Sequence, residues 1–428
     1  MASLLSGRQR RPHRRLATSQ LRERFAAGLS AMYGSEVPAY TTLVEVSTQV
    51  NHDYATRHAG AERLGSLSRV TAERHGAIRV GTPDELAAVA ELFSAFGMVP
   101  VGYYDLRDAA SPVPVVSTAF RPIDSDELAH NPFRVFTSML SIRDPRFFDA
   151  ELRARVQRFL GRRELFDPAL LCRARVIAAD GGCDAEEAND FVAQAVAAFA
   201  LSREPVEKSW YDELSRVSAV AADIAGVNST HINHLTPRVL DIDDLYRRMT
   251  ERGITMIDGI QGPPRWDGPA VLLRQTSFRA LAEPRQFRND DGTVVEATLR
   301  VRFGEVEARG VALTPKGRER YDVAMARLPG NPDPAAVWAE YFPATDNEMA
   351  AQGLAYYCGG EPSKPIVYED FLPASAAGIF RSNLDRDTEA TEVVDDSGYS
   401  VDWMAGAIDR HIHDPYALYE SLCKEAPA

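Results

Sequence analysis

The sequence predicts an α+β fold in which two copies of one βαβββ module form a central sheet around a shared cleft. Three observations carry this expectation. The stretch His75-Gly76-Ala77-Ile78-Arg79-Val80 is echoed by His234-Leu235-Thr236-Pro237-Arg238-Val239, and both read His-x-x-x-Arg-Val. Each copy runs into an amphipathic helix that stops at a glycine, Gly97 in the first and Gly253 in the second. After each helix come runs of Val, Tyr, Phe and Thr bounded by Gly, Pro and Asp, which read as strands.

Residues 1–66 read as a helical lead-in. A helix is expected over 19–32, with Leu21, Phe25, Leu29 and Met32 on one side, and another over 41–54 after the break at Pro38. His52 and His58 have polar neighbours and read as surface residues. The first module occupies 67–143. Its helix opens Thr82-Pro83-Asp84-Glu85, a capping box with Pro at the first helical position. Its strands are expected at 76–80, 100–105, 114–120 and 133–139.

Residues 144–225 read as a helical insert without a convincing strand. Phe191, Val192, Ala195, Val196 and Phe199 follow helical spacing, and Trp210 and Tyr211 read as packing residues. The second module occupies 226–313. Asp241 caps its helix, with Asp243 and Asp244 in the first turn. A short strand near Met256, a turn at 261–264 and a strand over 270–278 follow. The hairpin turn at 288–293 leads into a last strand over 298–307. Residues 314–428 are mixed: a helix beyond Thr314-Pro315, a small-residue run at 373–378 suited to close backbone approach, and a late polar helix carrying His411 and His413.

Composition narrows the function classes. A chain of 428 residues with 45% apolar and 25% charged residues has the make-up of a globular protein of two or three domains. A net charge of −13 argues against nucleic acid as the main partner. No apolar run approaches the ~18–20 residues of a membrane span, so no membrane is expected as a partner. Cys172, Cys183, Cys358 and Cys423 are scattered without CxxC spacing and read as reduced thiols of a cytoplasmic protein. The basic run between Arg8 and Arg15 lacks the apolar core of a secretory signal.

Strand periodicity then picks out chemistry. Positions i and i+4 share a face, so His75 and Arg79 point the same way, as do His234 and Arg238. In the last expected strand Leu299, Val301 and Phe303 alternate with Arg300 and Arg302, which puts Glu305 on the apolar face. An unpaired carboxylate is costly to bury there, so a cation is expected beside it. Two histidines and one carboxylate from different strands make the facial triad associated with non-haem Fe(II), although imidazole also suits Zn, Ni and Cu. His231 competes with His234, but the downstream Arg-Val register favours His234. Glu307 is a fallback ligand expected outside the sheet edge. Arg79 can grip a carboxylate in bidentate fashion, or sit in a structural ion pair; Arg238 and Arg274 are second-rank candidates.

The blocks 74–81, 100–106, 231–238, 273–278, 302–307 and 367–378 resemble the bacterial 2-oxoadipate dioxygenase/decarboxylase family. The last of these reads Val367-Tyr368-Glu369-Asp370-Phe371-Leu372-Pro373-Ala374-Ser375. The resemblance implies a vicinal-oxygen-chelate core, metal ligands His75, His234 and Glu305, Fe(II) as cofactor, and substrate binding by Arg79, Ala374 and Ser375. It implies a small 2-oxo diacid and dioxygen as partners, with 2-oxoadipate converted to 2-hydroxyglutarate and carbon dioxide in D-lysine breakdown. Ala374 stands where the family carries a bulkier Val, which would widen the pocket. Two other readings stay open at this point: a glyoxalase-like isomerase using Zn or Ni, and a non-catalytic small-molecule-binding protein of the same fold.

Overall fold

The computed structural model describes residues 15–108, 112–280, 282–299, 302–359, 364–372 and 398–425. Two helices lead in, α1 (Thr18–Glu36) and α2 (Pro38–Arg57), both longer than expected. Pro38 does not separate them by a loop. It occupies the first turn of α2, where its missing N–H removes no helical hydrogen bond. Their apolar stripes, including Leu21, Phe25 and Leu29 on α1 and Leu43, Val46 and Val50 on α2, are fully buried.

The first module consists of β1 (Arg74–Val80), α3 (Pro83–Ser94), β2 (Val99–Asp105), β3 (Val115–Arg121) and β4 (Arg134–Leu140), each strand within two residues of expectation. The Thr82 hydroxyl caps α3 by accepting from the Glu85 N–H at 3.1 Å. Glu85 departs from the capping box. Its carboxylate accepts from the Gly81 N–H at 2.6 Å and pairs with Arg163 of the insert. The glycines that end the two module helices both have left-handed backbone, φ 65° at Gly97 and 76° at Gly253.

The insert contains helices Ala150–Leu160, Pro168–Asp180, Ala185–Ala197 and Lys208–Val217, then α4 (Ala219–Ala225). Contrary to expectation it also holds two short strands, Gly182–Asp184 paired with Arg15–Ala17, and Val206–Glu207. At three and two residues they are too short to leave an alternating pattern.

The second module begins with β5 (His234–Pro237) and α5 (Ile242–Glu251), and continues with β6 (Leu273–Phe278). The expected strand over 298–307 is two strands. β7 (Glu283–Arg288) and β8 (Val294–Leu299) form a hairpin that Val206–Glu207 extends, whereas β9 (Gly304–Arg309) pairs with β6. Alternation of Leu299, Val301 and Phe303 hid the break. Gly304 marks it, because a Cβ at that position would lie 1.8 Å from the Phe278 ring.

Five strands form one sheet in the order β2-β3-β4-β1-β5, with β1 parallel to β4 and antiparallel to β5. β9 lies beyond β5: the Val239 N–H donates to the Glu307 carbonyl at 2.8 Å, and Arg238 and Glu307 form a parallel bridge. β9 runs antiparallel to β6, onto which Met256 and Gln261 add single bridges. Both modules therefore run second-third-fourth-first across the sheet, and their first strands abut. That arrangement is the vicinal-oxygen-chelate-like α+β fold.

One face, with Ile78, Val80, Val135, Met139, Leu235 and Val306, packs under α1, α3 and α5. The other, with Ala77, Ala119, Phe136 and Leu140, packs against Ala222 and Ala225 of α4 and against Phe371. Downstream, helix Pro315–Arg327 and Trp338 build a further apolar cluster, which Tyr419 of α6 (Pro415–Glu425) joins. His411 and His413 lie outside a helix. The helix Val401–Ile408 stops at Asp409, whose φ is 50°, and the His413 N–H then donates to the Pro100 carbonyl at 3.0 Å. No helix among the described residues is long and apolar enough to cross a membrane.

Candidate metal centre

The seam between the modules brings the duplicated histidines together. In the β1/β5 register His75 stands opposite Thr236 and Ala77 opposite His234, so all four share one face and the histidines are diagonal neighbours. Their ring centroids are 5.5 Å apart. β9 supplies Glu305 from the far side of β5. Its Oε2 lies 2.9 Å from His234 Nδ1 and its Oε1 3.6 Å from His75 Nε2. One ligand atom from each of His75, His234 and Glu305 lies within 4.8 Å of the others, and all three residues are buried.

The surroundings fit a cation. Ala77, Phe136, Leu273, Phe303, Phe371 and Leu372 wall the small cavity into which the triad faces. A carboxylate among such neighbours is costly unless a positive charge meets it. Burial pushes His234 down, against the opposing pull of Glu305, and so favours the neutral imidazole that a metal needs. The donor set suits a divalent transition metal and leaves the choice among Fe, Zn, Ni and Cu open.

A second layer holds the first. His75 turns Nδ1 to Glu307 Oε1 at 3.2 Å while Nε2 faces Glu305. Glu307 is therefore inside the sheet, 1% exposed, and the expectation that it lies beyond the edge is corrected: β9 continues to Arg309. Burial would raise the Glu307 carboxyl, but Arg309, at 2.6 Å, together with His75 and Arg134, holds it far below the usual carboxylate range. Arg134 stands beside His75 in the β1/β4 register and donates to Glu73 at 2.8 Å.

Arg134 and Arg69 also pair with Glu369, while Asp370 takes Arg121 at 2.7 Å and the Tyr419 hydroxyl. These two acids pin the stretch 364–372 across the sheet. Phe371 is thereby set edge-on to His75, with centroids 5.0 Å apart, and 5.0 Å from Phe136.

The remaining sequence candidates separate. Arg79 is buried on the His75 face, where its Nη1 donates to Asp223 of α4. His231 does not join the triad; its Nε2 lies 3.4 Å from Asp223 Oδ1. Arg238 binds Glu73 at 2.9 Å and Arg274 binds Asp243 at 2.6 Å; neither of them, nor Arg79, lines the small cavity at the triad, and of the three Arg79 alone shares a strand face with His75. His52 and His58 are exposed. Ala374 and Ser375 lie outside the described residues. Sequence reasoning missed Glu73, Arg134, Asp223 and the place of Glu307. A signal existed for Asp223, a lone acid inside Val220-Ala221-Ala222-Asp223-Ile224-Ala225.

Comparison with known proteins decides the family. The family model described as 2-oxoadipate dioxygenase/decarboxylase matches residues 25–383. This chain belongs to that family. A 2-oxoadipate dioxygenase/decarboxylase of Mycobacterium tuberculosis is 80% identical over 412 residues, covering 96% of this chain and 98% of its relative. The Pseudomonas putida protein of the same name is 38% identical over 448 residues, covering 94% of each.

Among solved structures, the hydroxyglutarate synthase of Pseudomonas putida in complex with 2-oxoadipate is similar at TM-score 0.80 and 36% identity, covering 96% of this chain and 97% of that one. A glyoxalase superfamily protein from Ralstonia eutropha, at TM-score 0.53 and 21% identity over 72% of this chain and 89% of that one, shares the fold. Within the dioxygenase/decarboxylase family, the His75–His234–Glu305 cluster is this chain's candidate metal centre.

Proposed function

We infer that this chain converts 2-oxoadipate and dioxygen to 2-hydroxyglutarate and carbon dioxide, with Fe(II) held by His75, His234 and Glu305. The observation that carries this reading is the convergence of two buried imidazoles and one buried carboxylate on a single point. Fe(II) bound there would supply the redox chemistry that dioxygen requires and a template for the 2-oxo acid. Held by three protein ligands, such an ion would remain open to the 2-oxo acid and to dioxygen chemistry.

The chain's own residues do the rest. Glu307 keeps His75 in the tautomer whose Nε2 faces the ion. Phe136, Phe303 and Phe371 exclude water from the reacting centre. Arg79 takes the far carboxylate of the substrate. Arg79 follows His75 by four residues on the same face of β1, roughly 13 Å along the strand, and its guanidinium is held by Asp223. The small residues Ala374 and Ser375 are proposed to contact the substrate as the family resemblance implies.

The same reading places the reaction in D-lysine breakdown and in the cytoplasm, where four free cysteines are at home. The chain is divided functionally into the modules 67–143 and 226–313, separated by the insert 144–225. Oxygen uptake by anaerobically prepared, Fe(II)-loaded protein on addition of 2-oxoadipate tests the proposal, with 2-hydroxyglutarate and carbon dioxide expected in equal amounts. Turnover supported by zinc without oxygen consumption would favour a glyoxalase-like isomerase instead.

A further inference from the structure

A buried carboxylate stands behind Arg79. Asp223 projects from α4, a helix that is otherwise Ala, Val and Ile, and is 4% exposed. Its Oδ2 accepts from Arg79 Nη1 and, at 2.9 Å, from Asn233 Nδ2, while its Oδ1 lies 3.4 Å from His231 Nε2. The stretch 230–233 that brings these partners is itself tied to β1. Thr230 Oγ1 donates to the Arg79 carbonyl at 2.9 Å, and the Asn233 N–H donates to the Ala77 carbonyl at 2.9 Å. The Asn233 carbonyl in turn accepts from the Tyr33 hydroxyl at 3.0 Å.

We propose that Asp223, braced by Asn233 and His231, is a positioning residue that fixes the Arg79 guanidinium at a set distance from the metal centre and so selects the length of the diacid. The inference rests on the reading that Arg79 meets the far carboxylate. Its physical basis is the cost of the arrangement. A carboxylate inside an apolar helix face is destabilising unless fully engaged. Asp223 accepts on Oδ2 from Arg79 and Asn233 and has His231 beside Oδ1, and the stretch 230–233 is fixed to the strand that carries Arg79. Burial would raise its carboxyl, but its partners hold it below the usual range, so it meets Arg79 as an anion. A long, flexible cation is thereby held to one geometry, and a guanidinium with a fixed fork can discriminate where a carboxylate arrives.

The test compares 2-oxo diacids of five, six and seven carbons, and the six-carbon monoacid 2-oxohexanoate, on the Fe(II)-loaded enzyme and two variants. Wild type should prefer the six-carbon diacid. Asp223→Asn should flatten the length profile of kcat/KM about tenfold or more while leaving turnover of 2-oxohexanoate within about threefold. Arg79→Ala should abolish the preference for diacid over monoacid. If Arg79→Ala leaves that preference intact, the reading of Arg79 is wrong. If Arg79→Ala removes it and Asp223→Asn keeps the wild-type length profile, the positioning role is refuted, as it is by a wild type indifferent to length. Should Asp223→Asn not fold, His231→Gln decides, with a smaller flattening expected and an unchanged profile counting against the proposal.

Discussion

His75 and His234 sit diagonally across the seam that joins the two modules' first strands, with ring centroids 5.5 Å apart. Neither module holds the triad alone, because the first supplies His75 and the second supplies His234 and, from β9 beyond β5, Glu305. Removing one imidazole therefore leaves two ligands, an imidazole and a buried carboxylate without its cation. His75→Ala should lose bound metal and oxygen uptake together, with stoichiometry by elemental analysis falling from about one ion per chain to near zero. Retention of wild-type metal content would rule His75 out as a ligand.

Glu307 touches the proposed ion only through His75 Nδ1, at 3.2 Å. Glu307→Gln keeps volume and a hydrogen-bond acceptor but removes the charge that sets the imidazole's tautomer and basicity. Metal affinity should fall by about 10–100-fold, measured by competition with a chelator, while saturating metal restores most of the activity. An unchanged affinity would show that Glu307 serves to neutralise Arg134 and Arg309 and not to set the imidazole.

How much of this was legible in the sequence follows from what periodicity can encode. The repeat gave His75 and His234 because a duplicated strand start repeats both spacing and residue type. Glu305 was found by alternation, and its neighbour Phe303 does share the cavity with it. The same alternation concealed the break between β8 and β9, since a chain that leaves one strand and enters another in phase keeps its pattern. Glu73, Arg134 and Glu369 were not legible. They come from before β1, from β4 and from the C-terminal stretch, and only the sheet's closure makes them neighbours. Arg79 was placed correctly on the His75 face, but its partner Asp223 is 144 residues away.

Glu73 makes a prediction about acid stability. Burial would raise its carboxyl, yet Arg238, Arg134, Arg69 and Arg309 outweigh burial and hold it well below its usual 4.5. A folded value below the unfolded one adds stability that is complete above the unfolded value and is lost as pH falls through the folded one. Glu73→Gln leaves Arg134 and Arg238 buried without that charge, and should cost about 3–5 kcal/mol at pH 7. Urea unfolding at pH 7 and pH 4 should show the variant losing less stability on acidification than wild type. Parallel pH dependence in both proteins would mean that other carboxylates govern acid unfolding.

Ala77 tests the line from metal to guanidinium. It lies between His75 and Arg79 on the same face of β1, opposite His234, and it lines the cavity at 5% exposure. A substrate reaching from the ion to Arg79 must pass over this methyl group. Ala77→Leu adds bulk there without removing a ligand, a charge or a backbone hydrogen bond. Overpacking costs about 1–3 kcal/mol of stability, so the melting temperature should fall modestly while metal content holds. Turnover of the six-carbon diacid should drop by about 100-fold, as expected when a substrate is displaced by an ångström or so. A short 2-oxo acid such as pyruvate, which has no chain to run on toward Arg79, should lose less activity than the six-carbon diacid. If both substrates lose activity equally, the diacid does not run along β1, and Arg79 binds something other than its far end.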